Sequence, residues 1–275
     1  EYAPTTASAA PAFSIPIALV AIGELTEEQW SVDTFELDSA QAQVKGSGSL
    51  ELDGDQFIDS HIDSAIRIAN LDTFREIFSV PLPDTDLELT LDLDSLGGEL
   101  VIEQFDLRSG DTDLSITGRA ENPNDPSVTL DIRSQRVDLT PWIMAHGEHA
   151  QPSSTTDRLI PDIEIPLSVL EFFEAEISTS INELIGLPRP ILNIRSDISI
   201  QHQGIKINAM RAENTRGGLA SLSGELAEAA DGIPKLSLML DGADLVLGIP
   251  KAPSEDVNSL PPYGVKLQLT GAGHT

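Results

Sequence analysis

Asp86-Leu87-Glu88-Leu89-Thr90-Leu91-Asp92-Leu93-Asp94 decides the reading of this chain. Successive side chains on a strand point to opposite faces, so this run has an aliphatic face of four leucines and an acidic face. The same period returns along the chain. Val101, Phe105 and Leu107 share a parity, as do Leu114 and Ile116, and Val128, Leu130 and Ile132. Further on, Ile194, Ile198 and Ile200 repeat it, then Leu236, Leu238 and Leu240. These twelve positions from Leu87 to Ile132 are expected to form one continuous apolar surface, because a sheet places same-parity residues on one face. Such a surface needs a cover, either a second protein layer or a bound apolar ligand.

The chain has 275 residues, enough for one or two domains and a sizeable core. Its apolar content of 40% is ordinary, but aromatics make up only 4%, so the apolar faces are aliphatic. Forty-five acidic residues against 16 basic ones give a formal net charge of −29. Lys and Arg do not cluster, which excludes a phosphate-tracking surface, and with it nucleic acid as a partner. A polybasic attachment to anionic lipid is excluded on the same ground. The absence of cysteine removes disulfides, thiol catalysis and thiolate metal sites. Residue 1 is Glu, which reads as a piece of a longer chain. The apolar run 11–22 is too short to span a bilayer, is interrupted by Pro16, and reads as a strand.

Turn signals divide the chain into short strands: Asp53-Gly54-Asp55, Gly97-Gly98, Asn122 to Pro126, Gly217-Gly218 and Asp231-Gly232. Helical pattern is confined to Leu71–Phe78 and Leu167–Phe173. A weak internal repeat underlies the strands. In each of three copies a strand runs into a glycine (Gly48, Gly118 or Gly224), a turn follows, and an alternating strand reaches a short apolar-acidic phrase. Recurrence of one supersecondary unit is the mark of an extended β array. The polar stretch 146–160 reads as a loop or linker between a first β-groove segment, 1–145, and a second, 161–275.

The ordered phrases resemble the periplasmic AsmA-like proteins of Gram-negative bacteria, with their TamB-type relatives. The resemblance spans roughly 42–248. It rests on Leu100 to Gly118, on Val128 to Trp142 with its Val-Asp-Leu and Thr-Pro-Trp, on Ile160 to Phe173, and on Ile205 to Gly224 with its Arg-Gly-Gly. It implies a mainly β fold: an elongated antiparallel sheet curved into an open apolar groove, with one or two short helices. It further implies a bridge-like lipid-transfer protein that binds phospholipid acyl chains. Its implied work is phospholipid transport between membranes or outer-membrane assembly, in the periplasm, with envelope proteins as possible partners. The N-terminal helix that ties family members to the inner membrane is missing from this sequence. Acyl chains would suit an open aliphatic face, at roughly 0.8 kcal/mol per buried methylene.

Other chemistry is weakly represented. Asp92-x-Asp94-x-Leu96-Gly97 with Glu103 approaches a calcium-loop spacing, but Leu96 stands where an oxygen ligand is required. An alternating strand followed by a Gly-Gly turn explains it better. His146-Gly147-Glu148-His149 lacks a third anchored ligand. Trp142 reads as a plug at a strand end. No nucleophile elbow, zinc-hydrolase helix or phosphate loop occurs, so no catalytic residue, metal or cofactor is expected. The expectation is a non-enzymatic lipid-binding groove made by Leu87, Leu89, Leu91, Leu93, Val101, Phe105, Leu107, Leu114, Ile116, Val128, Leu130 and Ile132. The alternative is a structural or adhesive β array without ligand. A carbohydrate-active β-sandwich enzyme comes third.

Overall fold

The computed structural model describes residues 18–26, 29–53, 56–78, 80–121, 127–147, 174–187, 189–201, 204–228, 234–245 and 263–272. The strands are β1 (Ala18–Leu25), β2 (Gln29–Asp38), β3 (Ala42–Asp53), β4 (Gln56–Ile68), β5 (Leu87–Leu96), β6 (Glu99–Ser109) and β7 (Thr112–Glu121). They continue as β8 (Ser127–Asp138), β9 (Glu174–Ile185), β10 (Ile191–Gln201), β11 (Gly204–Asn214), β12 (Leu219–Glu228), β13 (Pro234–Leu245) and β14 (Tyr263–Ala272). All 14 lie in one curved, unclosed sheet, in sequence order, each bonded to its chain neighbours. At about 4.8 Å per strand the sheet is roughly 62 Å wide.

The turns follow from local chemistry. Gly97 and Gly98, at φ of 61° and 89°, make the two-residue connection from β5 to β6 that needs left-handed backbone at both positions. The Asp92–Asp94 run is therefore strand, not calcium loop. Between β11 and β12, the Asn214 side chain accepts from the backbone N–H of Arg216 and of Gly218, both at 2.9 Å.

Every ladder is antiparallel except β8–β9, which is parallel in unbroken register from Ser127↔Glu174 to Asp138↔Ile185. A parallel pair needs a long crossover, and residues 139–173 supply it. The crossover begins with α2 (Thr140–Gly147), whose entry is held by the Asp138 carboxylate accepting from Thr140 N–H at 2.8 Å. Trp142 lies in α2 and is 39% exposed, so it is not a buried plug. The rest of the stretch expected as a linker, and the candidate helix at 167–173, lie outside the described residues. The helical expectation at 71–78 is met by a 3-10 turn (Leu71–Phe74) running into α1 (Arg75–Phe78).

Register shifts occur in β2, β4, β6, β10, β11 and β13, and three of them recur with the repeat. Asp33 in β2, Glu103 in β6 and Asn208 in β11 are extra residues with no partner on the preceding strand. Each of these three, β2, β6 and β11, is followed by a strand bearing a repeat glycine: Gly48 opposite Val32, Gly118 opposite Ile102, Gly224 opposite Ile207. Bulges raise local twist. The glycine gives room to the next strand's side chain: a Cβ on Gly118 would meet Leu130 Cδ2 at 2.7 Å, and one on Gly224 would meet Leu238 Cδ2 at 2.6 Å. The repeat is thus bulged strand, glycine strand, covering strand.

Candidate functional site

Directly paired residues share a face, so the registers map the two faces of the sheet. On one line, Gly23 pairs Val32, then Gly48, Ile62 and Leu93. The line continues through Ile102, Gly118 and Leu130. The parallel pair carries it to Ile177, then to Ile198 and Ile207. It ends through Gly224 and Leu238 at Leu269. Fourteen strands thus contribute to one row without a polar side chain. Neighbouring rows are similar, with Leu37, Val44, Ile66, Leu89, Leu107 and Leu114 on one of them.

Of the groove residues expected from sequence, Leu87, Leu89, Leu91, Leu93, Phe105, Leu107, Leu114, Ile116, Val128, Leu130 and Ile132 lie on this face. Val101 does not. The bulge at Glu103 shifts the pairing, so that Val101 stands opposite Asp94 and Arg119 on the polar face, and Ile102 replaces it opposite Leu93. Strict parity counting across an extra residue cannot detect this. The apolar face also reaches well beyond the expected segment, over β2–β4 and β9–β14. The signal available for that extension was the glycine spacing together with the alternation in each strand.

No second layer of described residues covers the face. The buried apolar residues among those described are Leu71, Ala175 and Ile194, together with the enclosed Pro83, which is far short of a core for 14 strands. Larger side chains are open to solvent, including Ile62 at 44% and Leu269 at 47%. Small residues on this face are nonetheless shielded by their neighbours. Ser64, between Gly46 and Leu91, is buried, and so is Ser196, between Thr179 and Met210. Such an aliphatic surface can hold hydrocarbon in any register along its length, and offers no convergent polar group to fix one molecule.

The polar face is organised by charge. On one strand-end border signs alternate: Arg67 pairs with Glu88, Glu88 with Arg108, and Arg108 with Asp113. Arg67 and Glu88 form an ion pair at 2.6 Å, and Arg136 meets Glu183 at 2.7 Å across the parallel ladder. The opposite border is acidic. There Glu51 stands directly across from Asp59, Leu96 from Glu99, and Ser127 from both Glu121 and Glu174. Farther in, Asp63 faces Asp92. Like charges in direct cross-strand register destabilise a sheet.

His61 lies in this acidic region, with Nδ1 at 2.7 Å from Asp94 Oδ1 and 3.6 Å from Asp92 Oδ1. The hydrogen bond to Asp94 raises the imidazole pKa above its ordinary value, with the Asp94, Asp92 and Asp63 charges adding to it. His61, Asp92 and Asp94 are the described residues that bring three metal-ligating groups together. They are partly exposed and already joined as an ion pair, which accounts for the geometry without a metal. Glu148 and His149 of the other histidine-rich stretch lie outside the described residues. Two shallow cavities, of about 450 and 370 Å³, open on the polar face beside Val101 and Glu103. No described helix is long and apolar enough to cross a membrane. Comparison of the chain with protein-family models, curated proteins and solved structures returns no match.

Proposed function

We propose that this chain binds the acyl chains of phospholipid along its apolar sheet face, as a periplasmic segment of an AsmA-like protein. Its role is to support phospholipid transport between membranes or outer-membrane assembly, with attachment to the inner membrane supplied elsewhere in the protein. It performs no catalysis. One observation carries the reading: an unbroken apolar row across 14 strands that no second layer of described residues covers. Monomers seldom leave apolar patches beyond a few hundred Å² exposed. Hydrocarbon suits this face, since each methylene removed from water contributes roughly 0.8 kcal/mol and no polar partner is required.

The alternative is a structural or adhesive array in which apolar faces of two copies pack on each other. Lipid transfer between donor and acceptor vesicles separates the two. The lipid reading expects transfer that rises linearly with protein concentration. The array reading expects none, together with self-association.

A further inference from the structure

α2 begins where β8 ends, and the neighbouring strand end fixes its root. Leu139 N–H donates to the Ile185 carbonyl at 3.0 Å, and Gly186 lies so close to Thr140 and Leu139 that a Cβ there has no room. Beyond that root the helix is open to solvent. Trp142, Ile143 and Met144 are 39%, 48% and 67% exposed, and Leu187, which follows Gly186, is exposed as well. Three consecutive positions, about 100° apart, span more than half of the helix circumference. From Leu139 to Gly147 there is no Asp, Glu, Lys or Arg, in a chain whose net charge is −29. Among the described residues, the exposed large apolar side chains outside strands are Ile77, Val80, Trp142, Ile143, Met144 and Leu187. All six lie in connections at this one end of the strands.

A helix that is apolar on all sides belongs in a medium that surrounds it, since a protein groove covers a single stripe at i, i+3, i+4 and i+7. The hydrocarbon boundary of a bilayer is such a medium. Trp142 suits it, because an indole prefers the layer between headgroups and acyl chains. A segment without charge enters that layer, whereas the acidic remainder of the chain stays in water. We propose that α2 docks this chain on a lipid bilayer, with Trp142, Ile143 and Met144 inserted at the headgroup–acyl boundary. The contact is apolar rather than electrostatic, as a chain without a basic cluster requires. Only its consequence for transfer rests on the phospholipid reading: docking brings the strand ends of the apolar face against the layer from which acyl chains are taken.

The test uses the full chain with phosphatidylcholine vesicles and reads the two tryptophans separately. In Trp30→Phe the remaining indole is Trp142; in Trp142→Phe it is Trp30, which pairs with Leu50 on the apolar sheet face. Flotation is expected to carry the chain with the vesicles equally at about 0.1 M and about 1 M salt, since screening leaves an apolar contact intact. Vesicles whose acyl chains carry bromine near the headgroup are expected to quench Trp142. Ile143→Asp combined with Met144→Asp is expected to reduce flotation on the order of tenfold or more, with a thermal melt near wild type. Should the double substitution lower the melt, the quenching of Trp142 decides alone. No flotation, flotation that about 1 M salt abolishes, flotation undiminished in a folded double variant, or an unquenched Trp142 on the floated chain overturns the docking. So does a dimer in sedimentation without vesicles that the double substitution dissolves, which would make a second copy the occupant of α2. Quenching of Trp142 without quenching of Trp30 leaves the docking standing and counts against acyl chains on the sheet face. Quenching of Trp30 without quenching of Trp142 does the reverse.

Discussion

Leu91→Asp separates a groove from a core. Leu91 sits in the middle of β5, opposite Ser64 on one side and Phe105 on the other. In an open sheet the substitution loses one cross-strand apolar contact and some strand propensity, about 1 kcal/mol together. For a chain of this size that corresponds to a melting shift of about 2–4 °C. A closed core would respond far more strongly. Truncating a buried leucine alone costs about 2–5 kcal/mol, and an unpaired buried carboxylate adds several more, so the transition would fall by roughly 10 °C or beyond. For lipid the order reverses. A carboxylate in the path excludes two or three methylenes, about 2 kcal/mol, which weakens acyl-chain binding roughly thirtyfold. The assay pairs a thermal melt with vesicle-to-vesicle transfer for wild type and variant. A collapsed melt, or transfer that survives the substitution unchanged, would refute the reasoning.

Four further outcomes follow from the geometry. Ile102→Asp is expected to reduce lipid transfer about as much as Leu91→Asp, whereas Val101→Asp, on the polar face, is expected to leave it near wild type; the same assay reads both. Gly118→Val drives its Cβ against the Thr129 carbonyl oxygen and the Leu130 side chain, and is expected to destabilise by about 1–3 kcal/mol in a denaturant titration. Gly271→Ala, with nothing within 4 Å, is expected to change stability by less than about 0.5 kcal/mol. The imidazole of His61 is expected to titrate above its ordinary value by NMR, and to lose that shift in Asp94→Asn. Because the folded value is the raised one, the stability it contributes is complete below pH of about 6.5 and fades as pH rises through the folded value. Exposure keeps that contribution under about 1 kcal/mol.

The strands were legible because period-2 alternation is a local signal, and the Leu87–Leu93 run states it almost without interruption. The Gly97-Gly98 turn and the helical turn at 71–78 were legible for the same reason. Val101 was misplaced because one extra residue at Glu103 flips every side chain beyond it, and a bulge leaves no mark on composition. The glycine repeat was visible, but its cause is a side chain on the next strand, such as Leu130 over Gly118, and so belongs to packing. α2 was missed because Thr140–Gly147 is short and apolar on all sides, without a helical stripe. The parallel pairing of β8 with β9 joins segments on either side of a 35-residue crossover, and no local pattern encodes it. The acidic border was hidden in an overall excess of carboxylates. Only the register shows that Glu51 meets Asp59 while Arg67 meets Glu88.

The most direct test of the account is native mass spectrometry of the full chain, purified without detergent exchange from cells whose membranes supply its lipids. The account predicts a major species heavier than the polypeptide by one or more phospholipid masses, which collisional activation releases. A clean mass of the polypeptide alone, or of a dimer carrying no lipid, would contradict it.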